Sequence, residues 1–112
     1  YQEGGSPEFD DGIKAWMNED STAMTNNGGN DTIAAVTAMG YDAYYVALEA
    51  LKAAGSTDPA AVKAALPGVT YTGVTGVIAF DDIGDAIRDT AYIKVADTAN
   101  NAWALETMQK AG

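Results

Sequence analysis

The sequence predicts an α/β chain, with about three helices followed by about three strands. Three observations point there. Apolar residues recur at helical spacing through the first half, the texture turns to Val, Ile, Thr and aromatic residues after residue 70, and Gly and Pro punctuate between the two. The chain of 112 residues is one domain's worth or a piece of a larger one. A chain of that size removes roughly 65% of its unfolded surface from water, enough for one modest core.

The first helix is predicted over about 7–18. Ser6 can cap it, Pro7 fits its first position, and Glu8 complements the positive end of its dipole. Phe9, Ile13, Trp16 and Met17 supply its apolar face, and Asn26-Asn27-Gly28-Gly29-Asn30 reads as the loop after it. The second helix is predicted over about 31–54, capped by Asn30 or Asp31 and closed by Gly55. From Ile33 to Leu51 it is apolar nearly all the way round, the pattern of a helix buried on more than one side. A membrane span fits poorly, because Asp42 and Glu49 interrupt the stretch and its tyrosines are scattered instead of sitting at the ends.

Asp58-Pro59 repeats the cap-plus-proline signature and predicts a short helix over about 59–66, stopped by Pro67-Gly68. Strands are expected over about 74–80, 91–96 and 102–106, with a bend or bulge where Gly73 and Gly76 flank Val74. Three strands leave too little surface within the chain to cover so apolar a helix. The missing layers are therefore expected from a longer parent chain or from a second copy. The opening Tyr1-Gln2-Glu3, with no Met and no signal segment, leads to the same expectation of a processed protein or a fragment.

Charge and composition remove several function classes. A net charge of −10 with six Lys and Arg scattered along the chain leaves no basic patch for nucleic acid or for an anionic membrane surface. There is no Cys and no His, so thiolate chemistry, zinc–thiolate sites and the usual general base are absent. No catalytic residue, metal or cofactor is expected, and the chain does not read as an enzyme.

The acidic cluster Asp81-Asp82-Ile83-Gly84-Asp85 is the one stretch that could suggest otherwise. As a calcium loop of the EF-hand type it fails, with Ile83 at the third position, Gly at the fourth and Tyr92 at the twelfth. As a glycosidase pair it fails too, since that chemistry needs carboxyls from separate elements roughly 5 to 9 Å apart across a cleft. A tight turn remains, in which Asp accepts local backbone N–H bonds and Gly84 takes a positive φ. On that reading, replacing Asp85 costs stability more than it changes ligand preference.

Several blocks then carry a resemblance. Gly73-Val74-Thr75-Gly76, an apolar strand ending in Phe80, and Asp81-Asp82-Ile83-Gly84-Asp85 follow one another. Before them come Ser6-Pro7-Glu8 at a helix start, Gly40-Tyr41-Asp42-Ala43 in an Ala/Leu-rich helix, and Ala54-Gly55-Ser56-Thr57-Asp58-Pro59. In this order the set resembles the C-terminal third of type I periplasmic (ABC-transporter) substrate-binding proteins, in the branched-chain amino-acid-binding branch. The chain departs from that pattern at Val36 and Thr37, where the family often has an aromatic residue, and in the Asn- and Gly-rich loop over 26–30.

The resemblance implies two α/β lobes that close on an amino acid, and a membrane permease as partner. It implies an extracytoplasmic location, periplasmic or as a cell-surface lipoprotein. The sequence alone keeps open a sensory domain of the same fold and a stand-alone module that dimerises through its apolar helix. Within this segment the resemblance implies one wall of the site, formed by Met39, Gly40, Tyr41 and Asp42 where the long helix begins. Each has a plainer reading. Met39 can fill a core, Gly40 can permit close packing, Tyr41 can simply pack, and Asp42 must be solvated, hydrogen-bonded or paired.

Overall fold

A computed structural model describes residues 1–111 of the chain. It is a mixed α/β structure with four helices and two small antiparallel sheets: α1 (Pro7–Glu19), α2 (Ser21–Asn26), α3 (Ala35–Ala54), α4 (Pro59–Ala65), then β1 (Tyr71–Gly73), β2 (Gly76–Phe80), β3 (Ala86–Ile87), β4 (Thr90–Asp97) and β5 (Ala102–Lys110). The shortest dimension is 21 Å, room for one layer of helices on one layer of strands.

The helix ends show where local chemistry acts. Ser6 precedes α1, yet its hydroxyl makes no capping bond. The buried carboxylate of Asp10 reaches back instead, accepting from the Gly4 backbone N–H at 2.6 Å and from the Tyr1 hydroxyl. Residues 1–5 are thereby tied to the first turn of α1. Phe9 and Met17 are buried on this helix, whereas Trp16 faces open solvent.

Asp20 ends α1 and caps α2, its Oδ1 accepting from Thr22 and Ala23. That cap starts a short extra helix just before the loop expected over 26–30. The long helix begins at Ala35, later than the expected 31, because the Asn side chains are spent on the loop. Asn30 Oδ1 accepts from Thr32 N, and Asn27 Nδ2 donates to the carbonyls of Asn30 and Thr32. Gly55, in the left-handed region at φ 58°, closes α3, and Asp58 caps α4 through Ala61 N.

One stripe of α3 is buried, Ala38, Asp42, Val46 and Ala50 at successive spacings of four. Ala38 joins Phe9, Met17 and Ile33 in one core, while Val46 and Ala50 join Val69 and Ile78 in a second. Asp42 lies between the two. The other faces of α3, with Val36, Met39 and Tyr44, are exposed, so the all-round apolar pattern is not matched by all-round cover.

Gly73 and Gly76 do not make a bulge. They pair across a hairpin whose connection is Val74-Thr75. β2 then pairs with β3 through the acidic turn, and β4 and β5 form a separate ladder with Glu106 as an extra residue opposite Ile93/Lys94. In the acidic turn Asp81 supplies every side-chain bond, its Oδ1 accepting from Ile83 N and Asp85 N. Gly84 takes φ +93°.

Candidate functional site

Asp42 is fully buried at mid-helix on α3, and its carboxylate faces the β1–β2 connection. Oδ1 accepts from Val74 N at 2.9 Å, and Oδ2 accepts from Thr75 N at 2.8 Å and from the Thr75 hydroxyl. Three donors thus satisfy a buried charge that would otherwise be very costly. The approach is close enough that a Cβ on Gly73 would lie 2.2 Å from Asp42 Oδ1, so no side chain fits there. Gly73-Val74-Thr75-Gly76 is therefore a carboxylate cradle. Gly73 clears the space, Val74 and Thr75 aim their N–H groups, and Gly76 at φ +100° turns the chain into β2.

The cradle extends by one residue. Arg88 Nη1 donates to the Thr75 carbonyl at 3.0 Å and to the Thr75 hydroxyl at 2.8 Å. Arg88 lies in the connection between β3 and β4. The chain Arg88–Thr75–Asp42 therefore ties the segment leading to the β4–β5 hairpin onto α3.

Tyr41 sits beside the cradle, over a hollow that Gly73 and Val74 also line. Its ring lies 4.8 Å from Phe9 and 5.0 Å from Tyr45, which in turn stacks on Tyr71 at 6.0 Å. A hydrogen bond to Tyr45 pushes the Tyr41 hydroxyl up to about 12, with burial adding to the effect. Tyr41 lines an open hollow of about 400 Å³ together with Ser6, Phe9, Tyr71 and Thr72. Met39 and Gly40 are exposed on α3 and border neither that hollow nor the larger cavity described next.

The larger cavity, about 740 Å³, lies between the N-terminal segment, the strand-like run into α3, and the β4–β5 hairpin. Its floor is Tyr1, Gln2 and Glu3, one side is Thr32–Ala35, and the hairpin contributes Tyr92, Lys94 and Trp103. The size suits a small organic solute. Glu3 is already engaged, accepting from Ile33 N at 2.8 Å through Oε1 and from Lys14 Nζ at 2.7 Å through Oε2. Lys94 has no carboxylate partner within salt-bridge distance among the described residues. Among those residues no group of acidic side chains could hold a metal ion, and no helix is long and apolar enough to cross a membrane.

Residues 32–35 wall this cavity just before α3 begins, and Met39, Gly40, Tyr41 and Asp42 lie further along the helix. Gln2, Lys94 and Trp103 carried no motif, and only their arrangement in space brings them together.

Residues 7–100 match the family model described as periplasmic binding protein. That span takes in every helix, the acidic turn and all of β4. The chain belongs to that family. Periplasmic binding proteins hold small molecules, and the cavity walled by Thr32–Ala35 and the hairpin is concave and partly polar. No curated protein and no solved structure matches the chain.

Proposed function

We propose that this chain is part of the extracytoplasmic solute-binding component of an ABC importer. The solute is an amino acid of the branched-chain type, or a compound much like one. In this reading the chain is the C-terminal part of a two-lobe protein that captures its solute by closing the lobes and then presents the closed form to a membrane permease. The observation that carries the reading is the family match together with the 740 Å³ cavity, whose aromatic hairpin residues Tyr92 and Trp103 offer an apolar wall. Lys94 supplies positive charge for the solute's carboxylate. Met39, Gly40 and Tyr41 line no part of this cavity and present the outer face of α3, and Asp42 serves the site by fixing the Val74-Thr75 turn instead of meeting the ammonium group.

Titration calorimetry of the protein with leucine, isoleucine and valine, against glutamate and glucose, tests this. Saturable binding of the branched-chain set alone is the expected result. Binding of glucose or of none of the five would sink the amino-acid reading. The exposed apolar residues of β4 and β5 favour a second arrangement, in which another copy of the chain covers the hairpin. A native mass of twice the 11.6 kDa chain mass would support it.

A further inference from the structure

Of the six asparagines in the chain, only Asn27 is followed by glycine. Its side-chain amide therefore stands next to the least hindered kind of backbone nitrogen, because Gly28 has no Cβ to screen the N–H. The pair lies just past α2, with Asn27 half-buried and Gly28 in the left-handed region at φ +75°.

The folded loop keeps the two groups apart. Asn27 has ψ 18°, which turns the Gly28 nitrogen towards the Asn27 nitrogen and away from Cβ and Cγ. The Gly28 N–H also donates to the Thr25 carbonyl at 3.1 Å. The amide itself is held, since Nδ2 donates to the carbonyls of Asn30 at 2.8 Å and Thr32 at 2.9 Å. These two bonds fix the run into α3, where Thr32 walls the larger cavity.

We propose that Asn27 is a deamidation site gated by opening of this loop, and that the product cannot close the loop again. In the open loop the Gly28 nitrogen attacks Asn27 Cγ. The new C–N bond closes a succinimide ring, the Cγ–Nδ2 bond breaks, and Nδ2 leaves as ammonia with the proton from the Gly28 nitrogen. Water then opens the ring, at Cγ to give aspartate or at the Asn27 carbonyl carbon to give isoaspartate. Either product sets a carboxylate where the N–H donors stood, facing the oxygens of Asn30 and Thr32. Two hydrogen bonds become a contact of acceptor against acceptor, and the entry to α3 loses its tie.

Peptide mapping tests this by following isoaspartate at position 27 in the folded protein and in the same protein unfolded in guanidinium chloride, both at mildly alkaline pH. Isoaspartate should accumulate at least about tenfold more slowly in the folded protein, because only the open fraction reacts. A second measurement compares the melting temperatures of Asn27→Asp and Asn26→Asp. The latter adds the same charge at the exposed neighbour, so it should lower Tm much less than Asn27→Asp does. Equal rates in the two states, or no isoaspartate at position 27 in either, would overturn the proposal. So would the same Tm in both variants.

Discussion

Gly73 illustrates how much a single residue can be bound by its neighbour. The glycine is required because the Asp42 carboxylate occupies the place its Cβ would take. Gly73→Ala is expected to cost about 3 kcal/mol, as overpacking against a buried, hydrogen-bonded charge. Asp42→Ala strips the acceptor from Val74 N, Thr75 N and the Thr75 hydroxyl, and is expected to cost about 3 kcal/mol as well. The two are coupled. In the Asp42→Ala background the clash is gone, so the added cost of Gly73→Ala falls to below about 1 kcal/mol. A double-mutant cycle by urea denaturation measures this, and additive costs would contradict the cradle.

The tyrosines make a second residue-scale prediction. The hydroxyl of Tyr41 is raised to about 12 by its bond to Tyr45, that of Tyr71 is raised by burial, and that of Tyr1 by burial and its bond to Asp10. In all three the fold favours the neutral phenol. The stability they contribute is present below the ordinary value of 10.0 and is lost as the pH rises from there through about 12. An ultraviolet titration should show tyrosinate appearing late in the folded protein, and Tyr45→Phe should bring part of it back towards 10.0.

Among the elements, α3 separates what packs from what faces out. Ala50 is buried against the second core, while Val36 is 71% exposed. Ala50→Leu should cost about 2 kcal/mol, and Val36→Ala should change stability by less than about 0.5 kcal/mol. Thermal unfolding of the two variants checks the assignment of the buried stripe. The acidic turn divides in the same way. Asp81 caps it, whereas the Asp85 side chain makes no hydrogen bond in the structure and contributes its backbone. The expected sensitivity therefore belongs to Asp81. Asp81→Ala should lose about 1 kcal/mol and Asp85→Ala much less.

Across the whole molecule, the β4–β5 hairpin is a separate ladder joined to the rest by residues 88–89. Its faces carry Ile93, Val95, Leu105 and Met108 in the open, and Trp103 is 71% exposed. What sets the hairpin's angle includes the exposed Arg88 and its two bonds to Thr75. Because these bonds face solvent, Arg88→Ala should cost less than about 1 kcal/mol of stability. The same change loosens one wall of the cavity, so solute affinity should fall several-fold while Tm hardly moves. Calorimetry beside a thermal scan separates the two effects, and a large drop in Tm would place Arg88 in the core of the fold instead.

The sequence by itself determined the order of helices before strands, the proline-led starts of α1 and α4, the glycine stop of α3 and the nature of the acidic turn. These depend on residues within one turn of one another, where capping, φ preferences and periodicity act without help from afar. It did not determine the start of α3, because Asn27 and Asn30 could serve a cap or a loop, and only the folded loop shows which. Nor did it reveal the Gly73–Asp42 contact, in which two residues 31 positions apart share a space too small for a methyl group. The cavity depended on tertiary structure altogether. Gln2, Thr32 and Trp103 are unremarkable in sequence, and line one hollow only because the folded chain sets the N-terminal segment, the entry to α3 and the hairpin around it.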